Sequence, residues 1–352
     1  MPDRPSPPDP AHPPNAGNPS VGLSAPVGVL GELEPPSRRS AGRLALQLLG
    51  FVIGLALLGW AVSIALSEKN RHSLEAVFTA EPRTLAVLLA VSAVSVIVNG
   101  LMFWVVLRPL HRLSAVDTAL TNAIAVFLSA LPMKINLVAR VLIHHRRDGV
   151  PFKDIMAWFA AMAALAVAVL LPMGLAGWWR GRIDAMWWIV GVGGSFAVSG
   201  LGVWLGYLSL RHPWLSKMSL GSDRIVRHWR TVLWHTLLRL SDMGLLAARF
   251  TAAAAAAHVD LPPERTVLLA TTYFFLSVLA PLGALGFREM GVAGIAIATG
   301  ADAGQITLVT LIVTAAEFVA SGALSLVAWV RLRPDRLWVA ARKESSAASR
   351  TE

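Results

Sequence analysis

The sequence predicts an all-α polytopic membrane protein, with about six full transmembrane helices and two oppositely oriented broken or re-entrant helical hairpins in an inverted repeat. Three observations lead there. Hydrophobic residues make up 55% of the 352 and charged residues 15%, with a mean hydropathy of +0.59; soluble domains carry about 25% charged residues. Leu44–Leu66 is 23 residues without a charge, enough to cross a hydrocarbon core at about 1.5 Å per residue. Two other apolar stretches, FLSALPMKINLVAR (Phe127–Arg140) and FFLSVLAPLGALGFREMGVAG (Phe274–Gly294), break at a proline and then meet charge.

In chain order, residues 1–40 hold 11 of the 21 prolines with Gly, Ser and Asp between them, a composition that buries too little surface to order itself. They are read as a disordered cytoplasmic tail. Residues 41–331 form the integral membrane domain and 332–352 a basic cytoplasmic tail. Leu44–Leu66 is read as an uncleaved span, because a long tail precedes it. The other full spans are Thr84–Leu107, Asp154–Gly177, Met186–Leu210, Thr231–Ala257 and Ile306–Val330. Ser114–Ile143 and Arg265–Gly300 are the bent segments, each long enough for two half-helices and too interrupted for one clean span.

The Lys/Arg distribution orients the chain. With the N-terminus cytoplasmic, 19 of the 31 basic residues fall in inside segments and 6 in outside loops, as the positive-inside rule demands with both termini cytoplasmic. Each bent segment then enters and leaves on one side, whether it is re-entrant or two thin crossings. Thr84–Leu107, the first bent segment and Asp154–Gly177 form one unit. Thr231–Ala257, the second bent segment and Ile306–Val330 form its inverted counterpart, with Met186–Leu210 as the odd span between. Such repeats place a binding site between them near the midplane. Trp178, Trp179, Trp187 and Trp188 around the outer loop read as an interfacial belt. Gly50/Gly54 and Gly202/Gly206 are GxxxG pairs for close packing within the bundle or for dimerisation.

Several function classes lack their signatures. There is no GxxxxGK[ST], HExxH, GxSxG or strand-borne GxGxxG. Cysteine is absent, which excludes disulfides, thiolate metal sites and Cys nucleophiles. His144–His145 are helix neighbours whose side chains point about 100° apart, so no metal is expected there. The +10 charge reflects topology, and no nucleic-acid partner is expected. No cofactor and no enzymatic reaction are expected.

What remains is a set of ionisable residues inside apolar segments: Lys134, Arg140, Arg239, Asp242, Arg249, Arg288, Glu289 and Glu317. Each costs about 2.5–3.5 kcal/mol at a helix centre, so each needs a partner or a wet cavity. They can pair and hold the bundle together, and Arg239 with Asp242 is an i, i+3 pair. Arg249, close to a helix end, is read as snorkelling. At the breaks a second reading is favoured. Gly283 and Gly286 let the backbone turn and approach a ligand. The following half-helix offers free N–H groups to an anion, and Arg140, Arg288 and Lys134 add charge, the arginines with a planar fork suited to phosphate. Glu289 orients Arg288, pairs with Lys134 or Arg140 across the repeat, or takes a coupling proton. Arg239, Asp242 and Glu317 are assigned to the cavity lining.

LPMKINLVAR followed by a basic loop, and GALGFREMGV before a final span, resemble the two signature regions of the lysylphosphatidylglycerol synthase transmembrane-domain family. Leu131, Pro132, Lys134 and Arg140 match an L-P-G-R-x-G-E-x-x-R pattern, with Lys for Arg and with Met133, Asn136 and Leu137 replacing two Gly and the Glu. Gly283, Gly286, Arg288 and Glu289 match P-G-G-x-G-x-R-E, with Ala284 in place of a Gly and Pro281 one residue further out. The resemblance covers about Leu44 to Val330. It implies a flippase-like protein of a bacterial inner (cell) membrane, without the synthase's soluble aminoacyltransferase domain. Its implied partner is a membrane lipid or lipid-linked anion, such as a phospholipid or a polyprenyl-phosphate-linked sugar. A second copy of the chain or a partner enzyme are further candidates. The alternative function is a non-transporting membrane subunit that supports a lipid-modifying or polysaccharide-assembly enzyme.

Overall fold

A computed structural model of the chain describes residues 38–129, 135–279 and 286–333. The expectations for the N-terminal tail up to residue 37, for the C-terminal tail from 334, and for Pro132, Lys134, Pro281 and Gly283 lie outside the described residues. The chain divides into Met1–Ala41 and Gly42–Glu352, and the membrane helices belong to the second unit.

Every regular element among the described residues is helical. Helix α1 (Arg38–Ala65) is followed by a 3-10 turn and α2 (Arg71–Phe78), then by α3 (Pro82–Leu107). The first bent segment is two helices, α4 (Ala115–Leu128) and α5 (Ile135–Leu142), and a π turn, Ile143–Arg147, closes it. Helix α6 (Phe152–Arg180) leads through a short loop into α7 (Ala185–Trp188), a second π turn and α8 (Gly194–Leu208). Short helices α9 (Pro213–Met218) and α10 (Asp223–Val226) precede α11 (Trp229–Ala256). The second bent segment is α12 (Pro263–Leu279) and α13 (Phe287–Ala298), and α14 (Ala303–Leu332) is the last helix.

Among the described residues, four helical stretches are long and apolar enough to cross a membrane: α3, α6, the run Ala185–Leu208, and α14. Val52–Ala65 and Glu68–Phe78, bent by 61°, make a fifth if taken as one span. This differs from about six clean spans at one place, for a physical reason. Helix α11 has 28 residues, but Arg239, Asp242 and Arg249 within eleven of them lower its apolarity. All three are buried against protein instead of lipid, so this helix is solvated by its neighbours. Helix α1 covers the expected first span and ends at Ala65, one residue before its expected end, and the chain then turns at Ser67 and continues as α2.

Local chemistry sets the starts. The Ser114 hydroxyl accepts the Asp117 N–H at 3.3 Å and caps α4. Asp302 caps α14 through the Gly304 and Gln305 N–H groups, at 2.9 and 3.1 Å, and pairs with Lys69 at 2.6 Å. Its carboxyl is held below the usual range by the Lys69 ammonium first and then by those amides. In the Arg180–Asp184 loop, Asp184 is likewise depressed by the Arg180 guanidinium and the Trp187 N–H. Trp178, Trp179 and Trp188 there are exposed as an interfacial belt requires, but Trp187 is buried against Val169, Met173 and Ala176.

Helices α3 and α11 form the central pair, packed along much of their lengths. Helix α4 packs on α3 and also on α14, while α12 packs on α11 and also on α6. The helix that follows each bent segment therefore braces the other bent segment. Between α4 and α14 the brace includes the Arg331–Asp117 pair at 2.7 Å and the rings of Phe127 and Phe318, 4.7 Å apart. Glycines permit the closest approaches. A Cβ on Gly100 would run into the Ala119 backbone, joining α3 to α4. Gly206 faces the Arg227 backbone in the same way, whereas Gly202 has open space around it. Gly54 on α1 presents its carbonyl oxygen to Gly286, leaving no room there for a side chain.

Candidate functional site

Among the described residues, six of the charged side chains of the apolar segments converge on one cavity of about 400 Å³ among α3, α4, α5, α6, α11, α12, α13 and α14. Helical spacing explains part of the convergence. Arg239, Asp242, Leu246 and Arg249 stand at i, i+3, i+7 and i+10, on one face of α11, and all four line the cavity. Helix α14 brings Glu317, α5 brings Arg140 and α13 brings Arg288 to the same space.

Arg288 donates from Nη1 to Glu317 Oε1 at 3.1 Å and rests its guanidinium on the Tyr273 ring, 4.5 Å from the centroid. Arg249 donates to Glu317 Oε2 at 2.8 Å and to the Val313 carbonyl at 3.1 Å. Glu317 is thus held between two arginines from different helices. Arg239 donates to Asp242 Oδ2 at 3.3 Å and lies over Phe274, 4.4 Å from its centroid. Asp242 Oδ1 accepts from the Ser95 hydroxyl at 2.7 Å, which ties α11 to α3.

Glu289 is fully buried and stands behind this wall. Its Oε2 accepts the Gly286 N–H at 2.7 Å and its Oε1 the Thr314 hydroxyl at 2.7 Å, while Arg288 Nε lies 3.8 Å from Oε1. Glu289 therefore caps α13 from its third position, occupying the amide that would otherwise be free at the break. Gly286, at φ +82°, is where the chain enters this helix, a conformation that favours glycine.

Arg140 differs from the other three arginines. It donates from Nη2 to the Asn122 amide oxygen at 2.7 Å, and its guanidinium lies 3.6 Å from the Phe103 centroid. Asn122 is itself fixed by a bond to the Val96 carbonyl at 2.9 Å. No carboxylate among the described residues pairs with Arg140, so its charge is met only by an amide dipole and a ring face. Arg140 Nη1 and the Nε atoms of Arg239, Arg249 and Arg288 are buried without a hydrogen-bond partner. Buried donors of this kind are uncommon and call for an explanation.

Of the residues singled out from the sequence, Arg140, Arg239, Asp242, Arg288 and Glu317 line one cavity, Gly286 and Glu289 bond each other outside its lining, and Lys134 and Gly283 are outside the described residues. Arg249 is not a snorkelling residue: it is 2% exposed and bonded to Glu317. The signal for it was the spacing of seven from Asp242, which puts both on one helical face. Phe103, Asn122, Tyr273 and Thr314 carried no distinguishing signal, since aromatic and small polar residues in apolar helices are commonplace. His144 bonds Asp148 at 2.8 Å and His145 the Val150 carbonyl at 2.9 Å, so the two rings are engaged separately.

A model of the family described as Lysylphosphatidylglycerol synthase TM region matches residues 47–325. That span includes every cavity residue named above. No curated protein and no solved structure matched the chain.

Proposed function

Because the chain belongs to this family of multi-pass membrane proteins, we propose that it binds an anionic amphiphile and carries it across the bilayer. The ligand class is a phospholipid or a polyprenyl-phosphate-linked sugar. The observation that carries the proposal is the cavity itself, which gathers four arginines, each with an unpartnered buried N–H. Guanidinium forks held on aromatic faces suit phosphate oxygens. The rim supports an apolar tail: Leu137 on α5 and Val278 on α12 line the cavity and are 40% and 39% exposed. A headgroup at the arginines leaves its chains facing lipid between the two bent segments. The carboxylates of the site are engaged by Arg, hydroxyl and amide donors, which supports carriage over acid–base chemistry.

Transport follows from the architecture. Helices α3 to α6 and α11 to α14 are read as two units of opposite orientation, with six full crossings and both termini cytoplasmic in a bacterial inner membrane. The exchanged bracing supports a two-fold relation, because α14 meets α4 as α6 meets α12. Rocking of one unit against the other would expose the cavity to each side in turn.

The test is reconstitution of the full chain into vesicles carrying a fluorescent anionic phospholipid. Lipid movement above protein-free vesicles, lost in Arg140→Ala and Arg288→Ala, is the expected result. Movement equal to that of empty vesicles would overturn carriage, and co-purification of a stoichiometric enzyme would then favour the role of a supporting membrane subunit.

A further inference from the structure

The hydrogen-bonding groups of the cavity do not balance. Asp242 accepts on Oδ1 from Ser95 and on Oδ2 from Arg239. Glu317 accepts on Oε1 from Arg288 and on Oε2 from Arg249. Glu289 accepts on Oε1 from Thr314 and on Oε2 from the Gly286 amide. Every carboxylate oxygen of the three acids is therefore already engaged. The donor side is open, since Arg140 Nη1 and three Nε groups lack partners in residues that are 8%, 2%, 2% and 6% exposed. Among the described residues the cluster holds four cations and three anions, with Glu289 behind the lining beside Arg288, and the cation with no acid beside it is Arg140.

We infer that the cavity selects a monoanionic phosphodiester headgroup and rejects one that brings an ammonium into it. This rests on the reading that the site holds an anionic amphiphile, and adds which one. A phosphodiester offers acceptors only and carries the single negative charge that the site lacks. An ammonium offers donors only. It would enter a cavity lined by four guanidinium groups, where every carboxylate oxygen already accepts a bond, and would compete there with an arginine or a hydroxyl for its acceptor. Rejection here is by unpaired like charge, as specificity often is. A phosphomonoester dianion or a pyrophosphate overshoots the excess charge and is disfavoured for the opposite reason. Because Phe103, Phe274 and Tyr273 cover one face of Arg140, Arg239 and Arg288, the ligand meets the edges of these guanidinium groups, where the N–H donors are.

The experiment is competition against a fluorescent phosphatidylglycerol bound to the detergent-purified full chain. The competitors are unlabelled phosphatidylglycerol, phosphatidylethanolamine, lysyl-phosphatidylglycerol and phosphatidic acid of the same acyl chains, and the chain-free glycerophosphoglycerol. Phosphatidylglycerol is expected to compete at least about tenfold better than either ammonium-bearing lipid. Asn122→Asp, which gives Arg140 a carboxylate without removing it, is expected to bring that ratio towards one. Glu317→Gln, which removes one negative charge, is expected to improve phosphatidic acid relative to phosphatidylglycerol. The ratios are internal to each preparation, so they survive partial misfolding of a variant.

Equal competition by phosphatidylethanolamine and phosphatidylglycerol, with both weakened by Arg140→Ala, would overturn the headgroup rule and leave the anionic-amphiphile reading standing. Failure of every phospholipid to bind would overturn both. Glycerophosphoglycerol competing as well as the lipid would keep the rule and identify a soluble phosphodiester as the ligand.

Discussion

In the first bent segment, Arg140 rests on Phe103 and gives its hydrogen bond to the neutral Asn122 amide; in the second, Arg288 rests on Tyr273, bonds Glu317, and has Glu289 3.8 Å from its Nε. The two arginines share a cavity and a stacking arrangement and differ in how their charge is met. A buried guanidinium with a carboxylate is a fixed part of the structure, because removing either partner strands the other. One met only by an amide and a ring keeps most of its charge available. The second half is therefore paired within the protein, while the first half is the part that the proposed ligand would complete.

The largest effect should come from Glu317→Ala, which strands Arg249 and Arg288 together. A loss of about 3–5 kcal/mol is expected, read as a lowered thermal midpoint of the purified protein. An unchanged midpoint would mean that the second half is no more fixed than the first. Next comes the direct contrast. Arg140→Ala leaves only the Asn122 oxygen without its donor, at about 1–3 kcal/mol, yet should weaken anionic-lipid binding at least about tenfold more than Arg288→Ala does. Equal binding losses would break the comparison.

Gly286→Ala puts a side chain where φ is +82° and where the Gly54 carbonyl already stands. It should cost about 1–3 kcal/mol, whereas Gly294→Ala in the same helix, with open space around it, should be neutral or slightly stabilising. Similar midpoints for the two would show that the entry to α13 is not held by its backbone.

The smallest effect should be that of Asp302→Asn, a cap away from the cavity that pairs with the exposed Lys69. Its folded carboxyl lies below the ordinary value of about 3.9, so its contribution is complete above that pH and is lost as pH falls through the lower folded value. The variant should lose under about 1 kcal/mol near neutrality, and the difference should fade in acid. Lipid binding should not change, and a binding loss would mean that this loop reports on the cavity.

Much of this arrangement could be read from residue order, because a membrane makes charge conspicuous. Asp242 and Glu317 stand out in apolar helices, and the proline–glycine breaks mark where helices must stop. What could not be read was partnership. Glu289 is adjacent to Arg288 in sequence, yet its two hydrogen bonds go to Gly286 and Thr314, and Arg288 finds its carboxylate on α14. Such choices depend on how helices rotate against one another, which periodicity alone does not fix. The length of α11 was legible and its failure to resemble a lipid-facing span was not interpreted, since burial inside a bundle and exposure to lipid ask for different residues at the same spacing. Trp187 was grouped with its neighbours by position, although one residue along a helix turns a side chain about 100°, from lipid into the core.

The exchanged bracing bears on how the protein is made. Helix α4 ends at Leu128 and its brace α14 begins at Ala303, so one wall of the first bent segment is synthesised last. At about 5–20 residues per second the ribosome needs roughly ten to thirty-five seconds to reach it. For that interval Arg140 has Phe103 and Asn122 available, while its cavity still lacks Glu317. The burden of carrying that charge into the bilayer thus falls on the insertion machinery, and a chain truncated before α14 would leave it there.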